Sequence, residues 1–545
     1  MSYFTTRKRF LFPSFDLDEK DSQFFSRFYR LLEDSGVSNV INRYIKNNKG
    51  VGGRPNLNYY NLFAVIIYGF AFGRDTLRDL EDACKYDLRY IDISEQTRPS
   101  YSTFSHFINK VIVPNEEEIF KLLNNQIIKE MDIKLDDAFV DGSKFEANAN
   151  KYKFIWKPTT FHERISVTFF NVLKEYDLCT TYDFEKLVKS KTITGAIDEL
   201  IIKKDNYDNK TFDKILKSLE SILLKVIEYE EKENICGDNR NSYYKTDYDA
   251  TAMCLKSDYY SGLGSNMHAA YNTQIMVISG FVFSYYVSQS RADLHDFISV
   301  INKFYKFYGT YPKNICADSG YGSLENYRFL NEHKIGNYVK YQSWEGNVSG
   351  KNPDTYRLND DLKTITCLNG NIGYIVNIDE RHPKKSNSKF FQVEGCLDCA
   401  FKDYCMRFVK DNSIKTNRIF EVVIDLIKYK QESERNLLSV KGIELRINRS
   451  VQVEGVFGIE KQNRGYTRFR RRGLTNVSTE MMLSLLGLNI RKLFNYYKNE
   501  KILKYWVAPN ILKPQEFKKP SSKKLSKKGK KTNERTYNSK QAKLV

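Results

Sequence analysis

A chain of 545 residues exceeds one ordinary domain, and about two to four units are expected. It is 41% hydrophobic, enough for real cores, and its formal net charge of +19 points to an acidic polymer as partner, nucleic acid before an anionic membrane. Nine cysteines in this length exclude a disulfide scaffold, and the most apolar run, Leu62 to Phe72, is well short of the roughly 20 residues of a membrane-spanning helix.

The first residues, Met1-Ser2-Tyr3-Phe4-Thr5-Thr6-Arg7-Lys8-Arg9, show no apolar segment or small-residue cleavage site, so a cytoplasmic protein without a membrane partner is expected. Residues 1–130 read as helical. Phe24, Phe25, Phe28, Leu31, Leu32 and Val37 recur at helical intervals between Asp21 and Asn47. Gly50-Val51-Gly52-Gly53-Arg54-Pro55 is a break. A buried helix follows from Tyr59 to Phe72, then a short one through Leu77, Leu80 and Cys84, and another opening at Pro99-Ser100-Tyr101-Ser102. These helices suit either a DNA-binding bundle or a plain helical domain.

The pattern changes at residue 131. Asp136 to Ala147 reads as a strand with Asp141 near its centre. Residues 150–246 are charged and mostly helical, as an insertion would be. Gly264 to Ile278 and Gly280 to Val287 read as two strands joined by a tight Ser279-Gly280 turn. Asp293 to Tyr308 is an amphipathic helix, with Asp293 expected first as its N-cap. A strand over 313–322 ends in Asp318-Ser319-Gly320-Tyr321-Gly322, followed by a helix from Leu324 to His333 and a strand from Gly336 to Tyr341. The order predicts an α/β mixed sheet extending over 131–343 and resuming over 416–500. Residues 344–415 stand apart as a cysteine-rich insertion, and 501–545 read as a basic disordered tail.

The chemistry is concentrated near the C-terminal end. Ile447, Val451, Glu454 and Gly458 recur at helical spacing, which puts Glu454 on the face of an apolar stripe. A carboxylate facing a core is costly unless paired or bound to a cation. Lys461, Arg464, Arg468, Arg470, Arg471 and Arg472 follow, with Tyr466 and Phe469 interleaved, a pattern that suits a phosphate backbone. The plain alternative is an ordinary helical Glu before a solvated basic face. Two further acids, Asp141 and Asp318, end or interrupt strands. Three carboxylates converging at a sheet edge need a cation, and Mg²⁺ or Mn²⁺ with oxygen ligands fits in-line displacement at phosphorus.

Val140-Asp141-Gly142-Ser143-Lys144-Phe145-Glu146-Ala147-Asn148 resembles the first-aspartate block of bacterial insertion-sequence DDE transposases. Ala317-Asp318-Ser319-Gly320-Tyr321-Gly322-Ser323 resembles the second, and Arg449 through Glu454 to Gly458, with Lys461 and Arg468 to Gly473, resembles the glutamate block. The resemblance covers most of residues 50–495. It implies a helical N-terminal DNA-binding domain and an RNase H-like core, with Asp141, Asp318 and Glu454 binding two Mg²⁺ ions. It also implies binding to the element's terminal inverted repeats, strand cleavage and transfer to target DNA, a homodimer in the active complex, and a place at the bacterial nucleoid. Lys144 and Asn148 are expected at phosphate, or else form a polar strand edge. The alternatives in function are a related metal-dependent nuclease and an inactive DNA-binding descendant.

Secondary features leave two readings each. Cys367, Cys396, Cys399 and Cys405 in one short insertion fit a structural Cys₄ zinc site, or are unligated buried thiols. They also resemble a cysteine-rich insertion of part of the transposase family. Asn272 and Gln274 share a strand face, as a family motif or a hydrogen-bonded sheet edge. Trp156 is expected buried, with stacking on a base as the alternative. The lysines from Lys518 to Lys531 are a solvated run or add salt-sensitive DNA affinity.

Overall fold

The structure is a computed structural model and describes residues 19–45, 57–178, 185–238, 240–256, 258, 266–377, 388–408, 417–499 and 505–521. The Gly50–Pro55 break and the lysines from Lys523 to Lys531 lie outside the described residues.

Five strands form the main sheet: β1 (Asp137–Glu146), β2 (His268–Ile278), β3 (Phe281–Ser288), β4 (Asn314–Ala317) and β5 (Gly336–Val339). Their order is β3-β2-β1-β4-β5, with Thr251–Met253 also pairing on β2. β1, β2 and β3 are antiparallel, whereas β4 and β5 run parallel to β1. The β2–β3 turn is tight because Ser279 and Gly280 both adopt positive φ (49° and 76°), the type that matches the strand twist.

Helix α1 (Tyr59–Ala71) is buried from Leu62 to Ala71. Its cover comes from the other end of the chain, helix α4 (Leu474–Asn499). At Gly487 an added Cβ would stand 2.5 Å from the Phe70 carbonyl carbon, so only a residue without a side chain admits this approach. α4 also lies on β3, where Asn489 accepts from the Val282 N–H (2.9 Å) and donates to its carbonyl (2.7 Å). The N-terminal helices, the sheet and α4 thus share one continuous hydrophobic core.

Two inserted units have cores of their own. Helices Thr159–Glu175, Ser190–Ile202 and Asn209–Cys236 pack around Phe169, Ile193, Leu200 and Leu219. The second is a five-stranded antiparallel meander from Tyr356 to Val423, packed on Ile365, Phe391, Phe420 and Val422. It extends past the 344–415 limits drawn from composition.

The segment assigned by composition to a disordered tail differs in part. Residues 505–521 are strapped along the molecule: the Trp506 N–H donates to Asn448 Oδ1 (3.1 Å), Asn448 returns a bond to the Trp506 carbonyl (2.9 Å), and the Gln515 N–H meets the Leu438 carbonyl (2.8 Å). Phe517 packs against Trp344, which explains why a Lys-rich stretch is held.

Candidate active site

β1 carries Asp141 at the point where its parallel pairing with β4 ends. The register joins Val140 to Ala317, so Asp141 and Asp318, one residue further on each strand, stand side by side. Asp318 then caps a short 3-10 turn, its Oδ1 accepting from the Gly320 N–H (2.9 Å). Asp141 Oδ1 accepts from the Gly142 N–H (2.9 Å).

The long helical run from Val440 to Asn463 lies along β1 and is tied to it at three points. Lys441 Nζ donates to Asp137 Oδ2 (2.7 Å). Arg449 places its guanidinium 3.1 Å from Asp141 Oδ2 and 3.7 Å from Asp318 Oδ2. Lys461 Nζ donates to Ser143 Oγ and to the Lys144 carbonyl, both at 2.6 Å. The run opens with helix α3 (Val440–Arg449) and contains two π-helical turns, Ser450–Glu454 and Ile459–Asn463. Such turns recur at functional sites.

Arg449 is the centre of the electrostatics. Burial pushes the Asp141 carboxyl up to about 6; Arg449 opposes this, and the Asp318 charge adds to it. Burial works against the Arg449 charge too, but Asp141 and Asp318 outweigh it and hold its pKa up. Two carboxylates thus already share one cation. A further acid belongs to this cluster. Asp293 Oδ1 accepts from Asn272 Nδ2 and Gln274 Nε2, both at 2.8 Å, and its charge bears on Asp141. It makes no N-cap bond; helix α2 (Phe297–Tyr308) begins only after a 3-10 turn at Asp293–His295. Asn272 and Gln274 are fully buried on a central strand, not at a sheet edge. The buried Tyr321 hydroxyl donates to Gln274 Oε1, completing the wall behind the acids.

Glu454 is not where the stripe put it. Ile447 and Val451 are 37% and 58% exposed, Glu454 is exposed with them, and its carboxylate accepts from Ser450 Oγ (2.9 Å). The inward residues are Leu445, Asn448, Gln452, Val453 and Val456, so the stripe through Ile447, Val451 and Glu454 is the outward face. Gln452 accepts from the Gly280 N–H (2.8 Å) and pins this turn to the β2–β3 loop. Among the described residues, no group of three or more Asp, Glu, His or Cys side chains is gathered as a metal cage.

The basic run divides. Arg464 is buried, paired with the buried Glu460 (3.0 Å) and bonded to the Ala71 carbonyl (3.0 Å). Arg470 pairs with Asp75 (2.9 Å), and Arg471 donates to Asn109 (2.9 Å); both reach the N-terminal helices. Asn148 donates to the Arg470 carbonyl (2.6 Å) and accepts from Arg472 Nε (2.9 Å). Tyr466 and Phe469 are core residues at 1% exposure, and buried Glu480 collects the Tyr466 hydroxyl and the Arg470 and Arg471 N–H groups. Burial raises the Glu480 carboxyl. Lys461 sits 4.2 Å over the Phe145 ring, its pKa pushed down to about 8 by burial. Arg468 and Arg472 stay exposed, and Lys144 is half-buried on β1.

Cys367, Cys396, Cys399 and Cys405 are free thiols lining one cavity of about 30 Å³. The Phe401 N–H points at Cys399 Sγ (3.4 Å), and burial pushes the Cys405 thiol up to about 11. Sequence reasoning assigned no role to Arg449 or Glu480, and read Asp293 as an N-cap first and as a site residue second. The only signal for Arg449 was its place at the head of the glutamate block.

No curated protein and no solved structure matches the chain. Two family matches do arise: a transposase DDE domain over residues 366–494, which contains Glu454, and a transposase domain (DUF772) over 14–110, which contains α1. No helix among the described residues is long and apolar enough to cross a membrane. Two separate transposase domain matches, one toward each end of the chain, support an insertion-sequence DDE transposase.

Proposed function

We propose that this transposase binds the terminal inverted repeats of its element, cleaves the backbone there with a divalent metal, and joins the freed 3′-hydroxyl to target DNA, as a homodimer that pairs two ends. One observation carries the reading: Asp141 and Asp318 stand side by side on parallel strands and share the Arg449 guanidinium. A pair of hard oxygen donors that already holds a cation fits Mg²⁺ or Mn²⁺. Asp141, Asp318 and, from the adjoining π turn, Glu454 are the residues proposed to hold it. A metal bound there supplies the charge that activates the attacking oxygen and stabilises the leaving one. The strand order β3-β2-β1-β4-β5, with its first three members antiparallel, supports an RNase H-like core.

The remaining roles belong to the chain itself. Arg449 neutralises the acid pair before DNA arrives. Asn272 and Gln274 fix Asp293, and with it the field around Asp141. Exposed Arg468 and Arg472, with Lys144, are proposed to hold phosphates, whereas Asn148, Lys461, Arg464, Arg470 and Arg471 act through the internal bonds described above. The N-terminal helices, docked on the same core, are proposed to hold the DNA ends. The four insertion cysteines are proposed to hold structural zinc. Their shared cavity and the N–H directed at sulfur support this, and coordination would remove the cost of ionising buried thiols.

The test is incubation of the full chain with DNA carrying the gene's own flanks and Mg²⁺ or Mn²⁺, comparing wild type with Glu454→Gln. Metal-dependent cuts at the element ends, absent in the variant, are expected. Equal activity in both proteins would remove Glu454 from the mechanism.

A further inference from the structure

The short two-stranded ribbon of Phe154–Trp156 and Ser242–Tyr244, at the two ends of the helical insertion, takes no part in the site described above. Its composition is unusual for a surface. Phe154 and Trp156 alternate along the strand and so share one face of it, and Tyr152 stands in the turn just before it. They are 80%, 45% and 62% exposed, and Phe161 beside them is 61% exposed. Single exposed apolar residues are ordinary, but four exposed aromatics within ten residues are a concentration of the kind that marks interaction sites. The rings are ordered: Phe154 and Trp156 stand edge to face with centroids 5.5 Å apart, and Phe154 is backed by buried Tyr244 at 6.4 Å.

The segment that carries these rings is basic. Residues 147–161 contain Lys151, Lys153 and Lys157 and no acid. Lys245 on the partner strand adds a fourth cation, its N–H bonded to the Lys153 carbonyl (2.9 Å), and both side chains are exposed. Lys151 Nζ lies 5.3 Å from the Tyr152 ring centroid. A protein partner with an apolar surface would not call for lysines on either side of the rings, at Lys151, Lys153 and Lys157. An unpaired nucleic-acid strand does, since each nucleotide offers a flat base to stack and a phosphate to neutralise. The patch also adjoins the basic loop, through Asn148 and its bonds to Arg470 and Arg472.

We infer that this ribbon is a platform for unpaired DNA, with bases stacking on Trp156, Phe154 and Tyr152 and phosphates held by Lys151, Lys153 and Lys245. The inference rests on the transposase reading, in which cleavage leaves strand ends whose bases are open to capture.

The test measures binding of the full chain to short oligothymidylate and to a blunt duplex of random sequence, by fluorescence anisotropy. Tryptophan emission is followed in parallel, because Trp344 is 1% exposed and Trp156 is the most exposed of the three tryptophans. Trp156→Ala should weaken oligothymidylate binding at least about fivefold, while changing duplex binding less than twofold. Trp156→Phe should restore most of the loss and Trp156→Leu should not, which separates stacking from simple packing; unchanged circular dichroism checks the fold. Wild-type tryptophan emission should be quenched by the oligonucleotide. Equal losses on both DNAs, rescue by leucine, or no effect of Trp156→Ala would each overturn the platform. Failure of wild type to bind either DNA would instead overturn the transposase reading beneath it.

Discussion

Asp141→Asn should stabilise the metal-free protein at neutral pH while abolishing strand cleavage. The folded chain holds the Asp141 carboxyl at about 6, mainly through burial. An unfolded aspartate titrates near 4, so between about pH 4 and pH 6 the folded state binds a proton that the unfolded state has released. Stability therefore falls as pH rises through that window. Above pH 6, the ionised carboxylate costs about 3 kcal/mol, two units at roughly 1.4 kcal/mol each. Asparagine never ionises and escapes that cost. At pH 7.5, in chelator, the variant should melt a few degrees above wild type, and the gain should vanish near pH 4.5. Thermal unfolding by circular dichroism at both pH values measures this. Added Mg²⁺ should raise the wild-type midpoint and leave the variant unmoved. A variant less stable than wild type at pH 7.5, or equally favoured at both pH values, would refute the account of Asp141 as a carboxylate held in strain for a cation.

Arg449→Gln should destabilise the metal-free protein by about 3–5 kcal/mol, because it leaves two adjacent carboxylates without their cation. A Mg²⁺ titration followed by thermal unfolding should restore more stability to it than to wild type. Gly487→Val should cost about 1–3 kcal/mol by driving a side chain into the Phe70–Ala71 backbone, seen as faster hydrogen exchange in α1. Protein purified without added metal should carry about one zinc per chain by elemental analysis, and Cys399→Ser should lose it.

The sheet could be read in the sequence because its strands are bounded by strong punctuation. Ser279-Gly280 marks a two-residue turn, and Asp318-Ser319-Gly320 marks a strand end, so Asp141 and Asp318 could be placed without the structure. Glu454 could not be placed on its correct face. Ile447 and Val451 are apolar yet exposed, while the inward face carries the polar Asn448 and Gln452 beside Leu445 and Val456, so hydrophobicity marked the wrong side of the helix. The arginine run misled for another reason. Composition cannot tell an arginine that meets phosphate from one that pairs with Asp75, a partner remote in sequence, or from Arg464, whose neighbour Glu460 is buried with it. Trp156 reversed the usual preference of tryptophan for the interior because its ribbon has one open face. Asp293 was hidden by a local explanation, the N-cap, when its partners lie about twenty residues back on β2.

The pairing of α1 with α4 sets a timetable. α1 is apolar along most of its length and leaves the ribosome early, yet the helix that covers it is made about 400 residues later. At about 5–20 residues per second, α1 waits for some 20–80 seconds without its final partner. During that interval the nascent chain presents a sticky helix to the cell, and chaperone occupancy of this segment should persist until α4 emerges. The chain can assemble its main sheet on schedule, but it cannot close its core until α4 has been made.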